Sequence, residues 1–183
     1  MCVAAPGAGA SRPGLRRRRC SGAASGASAE LIFPHSGWTA ERTNGALYLL
    51  PASAQAPAEV PLSLIGDTVL PGVCRVRVEK GNFPVEPDNP LVEVVDADAL
   101  EGAVLRTRQS GDRVRPLGAP GSRLLSDFLI DRRIDRPLRD FTPLIAREGR
   151  VLWIGGMGIA EEARITESTR ARARITLFPI TDE

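Results

Sequence analysis

The chain has 183 residues, 43% of them hydrophobic, which is enough to build the core of one or two small domains. Its 24 basic and 22 acidic residues leave a net charge of +2, so any anion-binding site must be a local patch. No stretch approaches the ~18 consecutive apolar residues of a membrane-spanning helix, and three scattered cysteines without metal-ligand spacing argue against a zinc site.

Residues 1–28 form a low-complexity segment rich in Ala, Gly, Ser and Pro, interrupted by the block Arg16 to Arg19. Such a composition cannot bury enough apolar surface to offset the entropy lost on ordering. We therefore expect this segment to be disordered. The arginine block is either a basic arm that touches RNA or the leftover of a truncated or mis-started gene.

Residues 29–98 are predicted to be a β-rich middle region. Short apolar runs bounded by turn residues predict strands at 30–34, 38–50, 60–65, 73–79 and 91–95, and 66–72 is predicted to be a connection. Alternation along 73–79 places Cys74 on the inner face. His35 lies in a predicted turn without a companion ligand, so we expect no metal or catalytic role for it. Asp96 and Asp98 are better explained by a turn, followed by a short helical turn at 98–100, than by a catalytic pair.

Residues 99–180 are predicted to be a second domain. It begins with a strand at 104–108 and a compact loop at 116–121, fixed by two prolines and two glycines. Ser122 is placed to cap a helix whose apolar face comprises Leu124, Leu125, Phe128 and Leu129. Pro137 is placed to begin a second short helix, which Pro143 ends.

The rest of this domain is predicted to be extended. A hairpin is expected at 144–146 and 151–154, then strands at 163–166 and 171–178, with Arg172 and Arg174 on an exposed basic edge. Together these elements predict a β-rich α+β fold, a small sheet or sandwich with two short helices, preceded by a disordered N-terminal segment.

Charge distinguishes the stretch from Arg106 to Arg139, which holds nine arginines and four aspartates. None of its basic residues is a lysine, and the planar fork of arginine suits bidentate binding of phosphate. Two interpretations remain open. The stretch is a nucleic-acid-binding surface, or it is a solvated face laced with Arg–Asp pairs.

An ordered string of motifs runs through the same region. It comprises Gly111-Asp112-Arg113, Pro116-Leu117-Gly118, the predicted helix from Leu125 to Asp131, Arg139-Asp140, Pro143-Leu144, and Leu152-Trp153 before a pair of glycines. This string resembles the C-terminal domain of bacterial tRNA(Ile)-lysidine synthetases. The resemblance is firm from about Leu105 to Thr166 and fainter upstream to about Ala29.

The resemblance implies a bacterial cytoplasmic ligase that joins lysine to the wobble cytidine of tRNA(Ile), using ATP and Mg through an adenylated intermediate. In this family the chemistry resides in an N-terminal domain with a glycine- and serine-rich nucleotide loop, and the C-terminal domain recognises tRNA. The segment from Ser21 to Gly26 lacks the paired glycines and the aspartate of such a loop, and Gly155, Gly156 and Gly158 precede no convincing helix. We therefore expect no catalytic residue, cofactor or metal in this chain, and tRNA(Ile) as its partner, with a catalytic domain encoded separately.

Charge and resemblance together predict seven arginines that contact tRNA phosphates and riboses: Arg113, Arg115, Arg123, Arg132, Arg133, Arg136 and Arg139. Some of these are expected to be structural, in an Arg–Asp network with Asp112, Asp131 and Asp140. The alternatives to a tRNA-positioning part of the ligase are a stand-alone RNA-binding module and a folded remnant without function. An oligomer is compatible with either.

Overall fold

The computed structural model describes residues 29–33, 38–43, 46–51, 59–85 and 89–179. The segment predicted to be disordered, residues 1–28, and the turn that contains His35 lie outside these ranges. Within them the chain forms three β-sheets, two short α-helices and two short 3₁₀ turns. The prediction of a β-rich α+β fold with two short helices is confirmed.

The first sheet is an antiparallel meander of three strands. These are β1 (Ala29–Phe33), β2 (Trp38–Thr43) and β3 (Ala46–Pro51), paired in sequence order. The apolar run predicted at 38–50 thus comprises two strands. The hydroxyl of Tyr48 donates a hydrogen bond to the carboxylate of Asp135, 87 residues further along the chain.

The second sheet has four antiparallel strands. Its spatial order is β5 (Gly66–Leu70), β6 (Cys74–Lys80), β14 (Arg172–Pro179) and β7 (Val92–Asp96). The prediction of a mere connection at 66–72 is wrong, because β5 pairs with β6 along its whole length. Strand β14 comes from the end of the chain, so the sheet joins both sides of the predicted boundary at 98/99, and that division stays a prediction.

Strand β6 shows the alternation that its sequence predicts. Cys74, Val76 and Val78 point into the core, and Cys74 is only 1% exposed. Burial raises the pKa of the Cys74 thiol to about 11, since the charged thiolate is poorly solvated there. The predicted inner-face position of this cysteine is confirmed, and its thiol stays protonated at neutral pH.

The position of strand β14 contradicts the predicted basic edge. Arg172 and Arg174 were predicted to form an exposed basic edge, yet β14 lies between β6 and β7 in the interior of the sheet. Arg174 forms an ion pair with Glu79 at 2.8 Å and lies 4.3 Å from the ring centroid of Phe83. The cross-strand acid neutralises this arginine, which the sequence of β14 alone does not show.

The third sheet is the centre of the molecule. Its order is β10 (Arg123–Leu124), β9 (Arg113–Val114), β12 (Arg150–Ile154), β11 (Leu144–Arg147), β8 (Val104–Arg106) and β4 (Val60–Pro61), and β13 (Gly158–Ile159) also pairs with β12. The predicted hairpin is confirmed as β11 and β12. All four residues at 151–154 are buried because both faces of this sheet are covered.

Two apolar clusters cover those faces. Trp153, fully buried, and Ile145 belong to the cluster between the central and the four-stranded sheets. Leu144 and Ile154 belong to the cluster under helix α1 (Leu125–Asp131), with Phe128 and Leu129 from the helix itself. The central sheet is therefore sandwiched between a second sheet and a short helix. Neither described helix is long and apolar enough to cross a membrane.

Several predicted boundaries differ from the structure. Ser122 does not cap α1, because residues 123–124 pair with β9 and delay the helix until Leu125. Helix α2 (Arg136–Arg139) begins one residue earlier than predicted, so Pro137 is its second residue and not its first. The strand predicted at 163–166 is absent, and Glu161–Ala163 forms a 3₁₀ turn in its place. The strands predicted at 104–108 and 60–65 are shorter, at 104–106 and 60–61.

Candidate nucleic-acid interface

Asp112 holds the start of the arginine-rich stretch together. Its carboxylate accepts two hydrogen bonds from Arg106, at 2.7 and 2.8 Å, and a third from the backbone N–H of Gln109 at 2.7 Å. Both side chains of this ion pair are only 4% exposed. The carbonyl of Asp112 also accepts the N–H of Leu125, so this one residue links β8, the turn and the first residue of α1.

Two further aspartates pair with arginines at the surface. Asp131 accepts a hydrogen bond from Arg123 at 2.6 Å, and Asp140 accepts one from Arg108 at 2.7 Å. All three predicted aspartates pair with arginines, but only Arg123 is one of the seven predicted arginines, because Arg106 and Arg108 pair with Asp112 and Asp140. The two surface pairs tie β10 to α1 and residue 108 to the end of α2. Arg123 thereby has a structural partner in addition to its predicted contact with tRNA.

Three more of the seven predicted arginines bind backbone carbonyls of their own neighbourhood. Arg113 donates to the carbonyl of Ser122 at 3.0 Å, and Arg115 to that of Ala119 at 2.9 Å. Arg139 donates to the carbonyl of Ile134 at 2.8 Å. These bonds shape the loop before α1 and the connection between the helices. They leave other N–H groups of each guanidinium available.

The remaining three, Arg132, Arg133 and Arg136, lie around the connection between α1 and α2, and we call them the interhelix arginines. All three are exposed, and none of their guanidinium groups forms a hydrogen bond or ion pair with another residue of the described ranges. Arg132 lies over the ring of Phe128, 5.1 Å from its centroid. Uncompensated positive charge is therefore concentrated at this connection.

Arg133 adopts a backbone conformation that usually belongs to glycine. Its φ is +56°, and it ends α1 with hydrogen bonds from Ile134 N–H to the Leu129 carbonyl and from its own N–H to the Ile130 carbonyl. This is a Schellman motif, whose left-handed position glycine fills at no steric penalty. A long side chain at this position costs about 1 kcal/mol in conformational energy. Such a residue is a candidate for function.

The loop at 116–121 is fixed against the chain after β12. The N–H of Gly118 donates to the Glu161 carboxylate at 2.8 Å, and Pro116 bridges to Ala160. The Gly118 N–H, with Arg164 as a second partner, lowers the pKa of Glu161. This compact loop therefore forms a rigid wall beside α1.

That wall borders a cavity of about 590 Å³. Its lining comes from residue 85, β7, residues 114–118, α1 with Arg132 after it, residues 154–159 and residues 164–165, and it includes Val94, Val114, Leu117, Phe128, Ile154, Met157, Ile159, Glu93, Arg132 and Arg164. Most of these side chains are apolar. Glu93 is half-buried there, and burial raises the pKa of its carboxyl group.

We predict that Glu93→Gln raises the melting temperature at neutral pH. A carboxyl whose pKa is higher in the folded state than in the unfolded state makes the protein less stable as pH rises through the folded pKa. The difference should shrink near pH 4, just below the ordinary value of 4.5, where the carboxyl group is mostly protonated in both the folded and the unfolded state. Thermal unfolding followed by circular dichroism at about pH 4 and about pH 8 measures it.

Glu162→Gln is the matched control, since Glu162 is exposed and its replacement removes the same charge. It should leave the melting temperature nearly unchanged at both pH values. A melting temperature for Glu93→Gln below that of the unmodified chain at about pH 8 would show that the carboxylate is stabilised by the fold.

The glycines after β12 do not form a nucleotide loop. A Cβ on Gly155 would lie 2.6 Å from Cγ of Pro143, so this glycine is needed for close packing. Gly158 lies in β13, and only the three-residue turn Glu161–Ala163 follows it. A phosphate-binding loop needs a helix N-terminus, so these glycines do not fit ATP. The described ranges also contain no group of three or more His, Cys, Asp or Glu residues that could hold a metal ion.

The sequence did not predict the cavity or Glu93. The lining residues come from six separate segments, and only the tertiary structure brings them together. One signal was available: Glu93 is the single charged residue in the apolar run at 91–95. A charge within a buried strand often marks a site.

Comparison with known proteins agrees with this architecture. Residues 103–176 match the family model of the TilS substrate C-terminal domain. The chain is 33% identical over 123 residues to the tRNA(Ile)-lysidine synthase of Symbiobacterium thermophilum, covering 64% of this chain and 25% of that protein. It is 38% identical over 74 residues to the synthase of Geobacter sulfurreducens, covering 40% of this chain and 16% of the relative.

A solved structure described as a crystal structure of the TILS C-terminal domain superposes with a TM-score of 0.52 at 25% identity. The superposition covers 69% of this chain and 93% of that one. The chain thus spans about a quarter or less of the curated relatives' length, but nearly the whole of this solved domain. Residues 103–176 are therefore similar in sequence to the TilS substrate C-terminal domain, and the chain is similar in fold to a solved TILS C-terminal domain.

Proposed function

We propose that this chain is the tRNA-binding C-terminal part of a tRNA(Ile)-lysidine synthase. In this role it positions tRNA(Ile) for the catalytic domain of the enzyme. ATP, Mg and the transfer of lysine to the wobble cytidine belong to that catalytic domain, and the complex works in the cytoplasm. The curated relatives carry the synthase name, and this chain aligns with only 25% and 16% of their lengths.

The observation that carries the proposal is the set of interhelix arginines. They lie inside the matched domain, they are exposed, and no acid of the described ranges neutralises them. Arginine binds phosphate through two parallel N–H groups. Phosphate contacts supply most of the sequence-independent affinity for nucleic acid and fix its orientation. A protein part that positions tRNA needs contacts of this type.

The other four predicted arginines support the same surface in a second way. Arg113, Arg115 and Arg139 donate hydrogen bonds to backbone carbonyls, and Arg123 donates one to the carboxylate of Asp131. The loop and both helices are thus preorganised before a ligand arrives, and a preorganised site loses less entropy on binding. Their remaining N–H groups are free to contact ribose or phosphate at the edge of the surface.

Titration of the chain with an isoleucine tRNA transcript tests the proposal. We expect binding that weakens linearly on a plot of log K against log salt concentration. Each phosphate neutralised contributes about 0.7–0.9 to the slope, so three interhelix arginines predict a slope of about 2 to 3 from this set alone. Fluorescence anisotropy of labelled tRNA at several salt concentrations measures it.

A tRNA of another specificity is the control for selectivity. Phosphate-led binding predicts measurable affinity for both, with the isoleucine tRNA tighter if the domain also reads tRNA shape or bases. The absence of binding to either transcript at low salt would contradict the proposal and leave a folded domain without a tRNA-binding role of its own.

A further inference from the structure

Charged side chains border the otherwise apolar cavity beside α1. Its walls are apolar, formed by side chains such as Val114, Phe128 and Met157. Arg132, exposed and unpaired within the described ranges, lies at its edge, and the half-buried carboxylate of Glu93 lies on β7. A volume of about 590 Å³ is within the range of small-molecule sites.

Glu93 makes no hydrogen bond or ion pair with another residue that the structure describes. One of its oxygens, Oε1, lies 3.9 Å from the position that a Cβ on Gly158 would occupy, so the carboxylate faces the backbone of β13. Neither oxygen is fully buried, so solvent reaches the carboxylate in the free protein, and a ligand that displaces this solvent removes its hydrogen bonds. A ligand that enters this cavity must therefore bring N–H or O–H groups, and a purely hydrocarbon ligand would leave the carboxylate unsatisfied.

The walls hold their shape without a ligand. Gly118 is bound to Glu161, Arg115 to the carbonyl of Ala119, and the N–H of Met157 to the carbonyl of Ile154. The guanidinium of Arg132 lies over the ring of Phe128, so a planar cation and an aromatic ring meet at the cavity. Apolar walls with a cation over an aromatic ring at the edge suit a planar ring with a negative charge attached.

We infer that this cavity binds one unstacked guanine base of the RNA partner, with the adjoining phosphate on Arg132. The inference rests on the proposed tRNA-binding function and specifies a ligand for this site. Guanine presents N1–H and N2–H₂ side by side, and these two donors match the two oxygens of the Glu93 carboxylate. Adenine and cytosine place a single amino group beside an acceptor, and that acceptor would face a carboxylate oxygen. Single-stranded ends and loops of RNA supply bases that can be splayed out and stacked in this way.

Mononucleotides test the site directly in the full 183-residue chain. Backbone amide shifts of the ¹⁵N-labelled protein are followed by NMR during titration with 5′-GMP, 5′-AMP, guanosine and inorganic phosphate. We expect 5′-GMP to shift Gly118, Val94 and Gly158, and to bind at least about tenfold more tightly than 5′-AMP. Guanosine should shift the same residues more weakly, and phosphate alone should not.

Two variants assign the contacts. Glu93→Gln should reduce the affinity for 5′-GMP about tenfold, to the level of 5′-AMP, because the amide N–H₂ opposes a guanine donor. Arg132→Ala should remove the advantage of 5′-GMP over guanosine. Equal affinity for 5′-GMP and 5′-AMP, or shifts confined to residues outside the cavity, would overturn the inference.

The mononucleotide titration and the tRNA titration test two different proposals, and either proposal can be contradicted without the other. Binding of tRNA without a response to 5′-GMP in the cavity would overturn the guanine site and leave the proposed function intact. A guanine-specific response in a chain that does not bind tRNA would support the site's chemistry and contradict the proposed function on which its biological role rests. Folding of Glu93→Gln is verified by its thermal unfolding, where higher stability is expected at neutral pH.

Discussion

Asp112→Ala is expected to lower the free energy of unfolding by about 3–5 kcal/mol, because it leaves the Arg106 guanidinium charged and buried without its partner. Both side chains are 4% exposed, so water cannot replace the lost carboxylate without opening the structure. The N–H of Gln109 loses its acceptor as well. Urea denaturation of the unmodified chain and the variant, monitored by tryptophan fluorescence, measures the difference.

Asp131→Ala is the matched control, since it removes an aspartate that also pairs with an arginine but lies at the surface. It should cost no more than about 1 kcal/mol. The double variant Arg106→Met with Asp112→Leu should recover much of the loss, because two apolar side chains of similar size need no partner. Equal losses for Asp112→Ala and Asp131→Ala would contradict the assignment of Asp112 as the anchor of this region.

Replacing the interhelix arginines together, as Arg132→Ala, Arg133→Gly and Arg136→Ala, is expected to weaken tRNA binding roughly a hundredfold at low salt and to lower the salt slope by about 2 to 3. These side chains are exposed and make no ion pair with a described residue, so their loss should leave the fold intact. Anisotropy titrations with the isoleucine tRNA transcript measure both quantities, and circular dichroism verifies folding.

Arg133→Gly alone separates binding from stability. At a φ of +56°, glycine relieves strain, so this variant should be more stable by up to about 1 kcal/mol while the salt slope falls by about 1. Arg170→Ala removes another exposed arginine, one that pairs with Asp98 at 3.3 Å. If Arg170→Ala weakens binding as much as Arg133→Gly does, net charge and not the interhelix position governs the affinity.

The sequence by itself determined those features whose signal is local. Alternation along 73–79 assigned Cys74 to the inner face, and the apolar run at 151–154 indicated a hairpin strand. The string of motifs from Gly111 to Leu152 indicated the resemblance to the TilS C-terminal domain. The arginines and aspartates of the same stretch predicted Arg–Asp pairs. Each signal depends on neighbouring residues or on fixed spacing, and both are properties of the chain before it folds.

The tertiary structure alone decided the features that depend on distant partners. Strand β5 forms because β6 is beside it, and α1 begins at Leu125 because β9 captures the two residues before it. The stretch from Arg106 to Arg139 holds nine arginines. The positions of carbonyl groups and aspartates in the fold decide which of their guanidinium groups form hydrogen bonds or ion pairs and which do not. The cavity exists only where six segments of the chain meet, since burial and desolvation arise from packing and not from sequence order.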